Sequence, residues 1–320
     1  MTTVELRPAP DPAGESDSPV ASKPVDVAGE PVAARAVRRY PPVGFGLALV
    51  LRASLTLSAL LIGFVVYLLL LAPLQQARTQ SVLYAQLREG LATATTPIQG
   101  LIEPGTPIAA LQIPGITLDQ VVVEGTAASD LRTGPGHRRN TALPGQQGVS
   151  LLYGRSSTYG APFALITQLQ AGDPITVVTG QGQFTYAVQQ VRRDGDPLPS
   201  PLPADGSRLT LASADNDRSG GQLGAGSTVY VDALLVTGQA QPAGQRPGLI
   251  PPYEQAMRGD TGALVPMVLW LQVLVLVSAA ITWARRRWGR WQTWVVAVPT
   301  VLLATWQLYD AAARLLPNLL

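Results

Sequence analysis

The stretch Ile108–Thr126 reads IAALQIPGITLDQVVVEGT, and its reading decides the fold class. Two β-prone runs, Ile108–Ile113 and Leu118–Val123, flank a Pro114-Gly115 turn. Aliphatic and β-branched side chains at this density suit a pleated, half-buried surface, and the Pro-Gly pair stops a helix from running through. The pattern recurs downstream. Val149–Tyr153 is a further short run, and Ile175–Thr179 and Phe184–Val191 bracket Gly180-Gln181-Gly182-Gln183 as a hairpin. There, Phe184, Tyr186 and Val188 fall on one face and Thr185, Ala187 and Gln189 on the other, the period of two that a strand imposes. Leu209–Ala212 and Val229–Val236 complete the set. Short strands with Gly/Pro turns predict an all-β sandwich or closed barrel over residues 97–237, with a short helix at Phe163–Leu169.

Outside this region the chain turns apolar. Residues 43–73 form a first hydrophobic block, uncharged from Ala53 to Ala72 and ended by Pro73. At 1.5 Å per residue, a run of about 20 residues spans about 30 Å, the hydrocarbon thickness of a bilayer. A second block covers 263–284. A third, 291–310, contains Pro299 and Gln307 and reads as a transmembrane or re-entrant helix. Between them, residues 285–290 read RRRWGR. Arginines are costly to translocate, so this turn is expected in the cytoplasm, as are Arg35, Arg38, Arg39 and Arg52 at the first block. The N-terminus is then cytoplasmic and the β domain extracytoplasmic. Residues 1–42 have few large apolar side chains and are expected to be a disordered cytoplasmic tail. Residues 74–96 are expected to form a stalk, 238–262 a linker and 311–320 a tail.

Composition removes several function classes. The formal net charge is +2, only 14% of residues are charged, and Lys23 is the sole lysine, so no concentrated basic surface marks a nucleic-acid binder. There is no cysteine, which excludes thiolate chemistry, disulfides and Cys-ligated metals. His137 is the only histidine. The acidic run DNDRSGG, Asp215–Gly221, lacks the full spacing and closing glutamate of a calcium loop, so no metal site is expected, and no cofactor.

An ordered series of motifs carries a resemblance. It comprises Ile108–Thr126, DLRTGPGHRRNTALPGQQG (Asp130–Gly148), YGRSSTYGAPF (Tyr153–Phe163), LQAGDPITV (Leu169–Val177) and FTYAV (Phe184–Val188). In this order and spacing they resemble a sortase of the class E/F type. The resemblance implies an eight-stranded β-barrel, a membrane anchor and a place on the outer face of the cell.

Sortases are transpeptidases that use a cysteine nucleophile, a histidine and an arginine. Carried onto this sequence, the resemblance puts Arg155 at the histidine position, Ala214 at the cysteine position and Thr228 at the arginine position. His137 matches a different, non-catalytic histidine. A methyl group cannot attack a carbonyl, and a guanidinium is no general base near neutral pH. The expectation is therefore a degenerate, catalytically inactive member. Its former cleft, formed by Arg155, Ala214, Asp215, Asp217 and Thr228, is expected to bind, with Arg155 pairing to Asp215 or Asp217 or holding a peptide carboxylate. The expected partners are the lipid bilayer and an envelope protein, a pilin-like or sorting-signal peptide, or an active sortase. Two alternatives stand beside this: a structural scaffold in a surface assembly, and a serine-dependent acyl hydrolase or transferase built on Ser213.

Overall fold

The structure, a computed structural model, describes residues 44–193, 195–215 and 227–320. The chain divides into two compact units, Met1–Leu51 and Arg52–Leu320. Of the first, the described residues 44–51 supply the opening of helix α1, Phe45–Val66.

In the second unit α1 does not stop at Pro73. A π-helical turn, Tyr67–Leu71, leads into α2, Ala72–Ala92, with Pro73 in its first turn. The Ala72 N–H reaches back five residues to Tyr67 O. A proline inside a regular helix removes a donor and drives its ring against the preceding turn. The widened turn accommodates both defects, so the helix continues where the proline predicted an end.

The barrel strands are β1 Pro107–Ile113, β2 Leu118–Glu124, β3 Gly136–His137, β4 Gly148–Tyr153, β5 Pro174–Thr179, β6 Gly182–Arg193, β7 Ser207–Ala214 and β8 Thr228–Thr237. They close in the order β1-β2-β3-β4-β7-β8-β6-β5. The β2–β3 and β4–β7 pairs are parallel and the others antiparallel. Closure removes every exposed edge. Leu111, Ile113, Val122, Tyr186, Leu209 and Val231 lie among the core residues inside. The hairpin alternation holds: Phe184, Tyr186 and Val188 are buried, Thr185 and Ala187 half-buried, and Gln189 exposed. Of the predicted short helix, a single 3₁₀ turn, Ile166–Gln168, forms.

A short helix α3, Ala128–Leu131, follows β2, and α4, Leu264–Arg287, and α5, Arg290–Ala313, follow the barrel. Among the described residues three helices are long and apolar enough to cross a membrane: Gly46–Ala92, Thr261–Arg287 and Arg290–Ala313. The third hydrophobic block is thus one continuous 24-residue helix despite Pro299. Leu55, Ile62, Val275, Leu276 and Leu302 all stand exposed on these helices. Such apolar surface belongs against lipid. Gly289, with φ of 90°, makes the turn between α4 and α5 in a conformation that disfavours any side chain.

Helix α2 is seated on the outer wall of the barrel. Leu83 and Leu87 pack on Ala110, Val121 and Val123. Gln80 pairs with the backbone of β2 as a strand would: Val121 N–H donates to its Oε1 at 2.7 Å, and its Nε2 donates to Val121 O at 3.1 Å and Thr133 O at 2.7 Å. Removing the amide strands a backbone donor and two acceptors. Gln80→Ala is expected to destabilise the protein by about 1–3 kcal/mol, read as a lowered midpoint in denaturation of the detergent-solubilised chain. An unchanged midpoint would show that the amide contributes nothing.

Candidate functional site

Three strands deliver their ends to one place on the barrel wall. Tyr153 of β4 is in register with Ala212 of β7, and Ala214, the last residue of β7, with Thr228, the first of β8. Arg155 follows β4 by two residues. Alternation sorts β7. Leu209 and Leu211 join the inner core, whereas Ala212 and Ala214 form a separate outer cluster with Leu131, Tyr153 and Leu319. Leu151, Tyr230, Ala256 and Met257 pack around that cluster. The side of this cluster that lies on β4, β7 and β8 is called the groove below, and Leu319 packs against it.

Arg155 is fully buried. Its Nη1 donates to Thr158 Oγ1 at 3.0 Å and to the main-chain oxygen of Leu320 at 3.5 Å, and its Nη2 to Ala128 O at 3.4 Å. Its guanidinium carbon is 5.0 Å from the centre of the Tyr159 ring. Among the described residues no Asp or Glu side chain stands within ion-pair distance of it. Burial pushes its pKa down to about 10, which still leaves the group charged at neutral pH and unfit as a base.

The expected pairing of Arg155 with Asp215 does not form. Asp215 accepts from Arg193 Nε at 2.7 Å, because strand alternation turns it to the face opposite Ala214. Asp217 lies outside the described residues. Thr228 is buried at the mouth of β8 beside Ala214.

Ser213 donates its hydroxyl to Gly154 O at 2.8 Å. The only imidazole is engaged elsewhere: His137 Nδ1 is 2.8 Å from Glu124 Oε2, and its Nε2 is 2.8 Å from Ala142 O and 3.1 Å from Thr141 Oγ1. Ser213 therefore has no histidine base, and the serine-dependent alternative gains no support.

Sequence reasoning missed the residues that cover the groove. Ser156 N–H donates to Leu319 O at 2.9 Å, its hydroxyl donates to the same oxygen at 3.2 Å, and Thr158 Oγ1 donates to Leu320 O at 2.5 Å. Asn318 Nδ2 donates to Tyr253 O at 2.7 Å and Gln255 O at 2.9 Å, which joins the end segment to residues 253–257. Glu254 anchors that second segment through two bonds from Arg139, at 2.6 and 3.1 Å, while Thr126 Oγ1 donates to Glu254 O at 2.7 Å. The nearest sequence signal is the acid at 254, two residues after the Pro251-Pro252 pair between the barrel and the second apolar block.

Residues 111–214 match the family model described as the sortase domain. This range runs from β1 to Ala214. The barrel is a sortase-family domain.

Among curated proteins, sortase D of Bacillus subtilis is 32% identical over 90 residues, 28% of this chain and 44% of that protein. Sortase SrtE1 of Streptomyces coelicolor is 31% identical over 99 residues, 29% of this chain and 28% of that protein. The aligned regions thus span less than half of either relative. Among solved structures, a Clostridium perfringens sortase D5 transpeptidase shares 23% identity with a TM-score of 0.42, covering 50% of this chain and 99% of that one. Sortase E from Streptomyces avermitilis shares 28% identity with a TM-score of 0.33, covering 42% and 91%. The curated relatives carry both D and E designations, so the similarity is to sortases of more than one class. This sortase domain lacks the cysteine that transpeptidation requires.

One acid beside the groove of the sortase domain has a displaced titration. Asp130 on α3 accepts from Ala127 N–H at 3.2 Å and Ser129 Oγ at 3.4 Å. Burial first, then the charge of Glu254, raises its pKa to about 6. Between about pH 4 and 6 the unfolded chain releases this proton while the folded chain keeps it. The folded state therefore binds more protons, and stability is present below pH 4 and falls as pH rises through 6. The loss is expected to be about 2–3 kcal/mol. Asp130→Asn is expected to remove that slope in denaturation midpoints measured from pH 4 to 7. An identical slope in the variant would assign the effect to another group.

Proposed function

We propose that the chain is a membrane-anchored, non-catalytic sortase-fold protein that holds a partner protein or sorting-signal-like peptide at the cell envelope, in the groove around Arg155, Ala214 and Thr228. One observation carries the reading. At the end of β7, where transpeptidation would need a nucleophile, stands Ala214, whose methyl group joins an apolar cluster with Leu131, Tyr153, Ala212 and Leu319. Ser156 and Thr158 present donors to main-chain oxygens beside an apolar pocket. Strand-like main-chain bonding with side-chain pockets is a general mode of peptide recognition.

The proposed orientation has the barrel outside and the turn at Trp288–Gly289 inside. The arginines in the last turn of α4, Arg285 to Arg287, support it through their translocation cost. The end of α5 supports it too, since Asp310 pairs with Arg132 next to α3 and thereby belongs on the barrel side. Three crossings place residues 314–320 with the barrel.

Both parts are open to test. In this cysteine-free chain, a single cysteine at Leu198, which is 80% exposed, is expected to react with an impermeant maleimide on intact cells. One at Trp288 is expected to react only after permeabilisation. The reverse pattern would overturn the orientation. The purified protein is expected to show no cleavage or transfer of sorting-signal peptides. Turnover that is lost in Ser213→Ala would contradict the non-catalytic reading.

A further inference from the structure

We propose that the groove beside Ala214 is a peptide site whose resident ligand is the chain's own segment 315–320, and that an outside peptide of the same apolar character enters only by displacing it. The inference rests on the non-catalytic reading above and specifies its ligand class and its gate.

The segment is LLPNLL, Leu315–Leu320. It is held as a protein holds a ligand peptide. Leu319 is completely buried, with its side chain against Leu131, Tyr153, Ala212 and Ala214. The carbonyl oxygens of Leu319 and Leu320 accept from Ser156 N–H, Ser156 Oγ, Thr158 Oγ1 and Arg155 Nη1. The site thus reads one aliphatic side chain and the two oxygens that follow it along the backbone. Ala214 belongs to this reading, because its methyl supplies floor for the leucine where the resemblance implies a nucleophile.

Arg155 is the second, independent observation. It is fully buried, its Nε finds no acceptor, and among the described residues no Asp or Glu side chain pairs with it. A guanidinium in that setting is satisfied only by oxygens brought to it. Leu320 O is one of three in place. A displacing ligand must therefore bring an oxygen acceptor to Arg155 as well as an aliphatic side chain to the pocket, which describes a leucine-bearing peptide better than a lipid tail or a sugar.

The segment is also tethered. It follows α5 directly, and its base is pinned by Asp260 N–H to Arg314 O at 2.9 Å. A short tether holds a ligand at an effective concentration on the order of millimolar, so weak contacts suffice to keep the groove closed. An incoming peptide competes against that concentration. Any movement of α5 in the membrane changes it.

The test uses full-length protein in nanodiscs with one reporter, Ala214→Cys, the chain having no other thiol. Modification of that thiol by a maleimide is expected to be slow with the native segment and at least 10-fold faster when Leu319→Asp is added. A blocked-end peptide of sequence LLPNLL is expected to restore slow modification in the double variant at millimolar concentration, and a peptide with aspartate at the fifth position is expected not to. A second reporter, Ala233→Cys, sits in the inner core and is expected to stay unreactive throughout, showing that the barrel remains folded. If it becomes reactive with Leu319→Asp, Leu319→Ala replaces that change, with the same ordering expected. Equal rates at position 214 with and without the leucine would overturn the gate. Faster modification that the peptide does not reverse would overturn the peptide site. Neither result bears on turnover, which decides the non-catalytic reading separately.

Discussion

The guanidinium of Arg155 is taken fully out of water with no described Asp or Glu side chain to meet it, and the surrounding architecture is arranged around that demand. Desolvating a cation costs several kcal/mol, and oxygens with good geometry must offset it. Thr158 and Ala128 supply two from the barrel and its short helix, and Leu320 a third from more than 160 residues away. The aromatic face of Tyr159 adds a weaker, non-directional contribution. Bringing Leu320 to this point requires the last helix to finish on the barrel's side of the membrane.

The membrane helices meet that requirement. Helix α5 runs back from the turn at Gly289, and the ion pair of Arg132 with Asp310 ties its end to the residues after α3. Tyr309 reinforces it from within, donating its hydroxyl to Leu60 O at 2.9 Å. That approach depends on Gly63, where a side chain would collide with the Tyr309 hydroxyl. The first helix is in turn locked to the barrel wall by Gln80, Leu83 and Leu87. The sortase domain is thus clamped from both ends, and its groove is roofed by sequence that lies beyond the matched family region.

Much of the fold was legible in local pattern. The alternation at Phe184–Val188 and the turn at Pro114-Gly115 needed no tertiary information. Strand β3 was not legible, because two residues, Gly136 and His137, carry no periodicity; they form a strand only because β2 and β4 lie on either side. Pro73 misled because a π-helical turn can absorb what a regular helix cannot. At the site, the identity of Ala214 was readable, and the absence of cysteine settled the loss of transpeptidation. The surroundings of Arg155 were not readable. Its acceptors come from positions 128, 158 and 320, and no spacing rule links them. Asp215 was assigned to the wrong arginine for the same reason: Arg193 is distant in sequence and near in space.

The central claim is that the groove of this sortase domain is closed by the chain itself. Hydrogen–deuterium exchange on the full-length protein in nanodiscs tests it most directly. The amide of Ser156 donates to Leu319 O, and the amide of Asn318 donates to Arg258 O. Both are expected to exchange slowly, at rates close to one another and well below those of an unstructured peptide. Exchange of residues 318–320 at unstructured rates, with the β4 and β7 amides protected, would show the groove open and contradict the account.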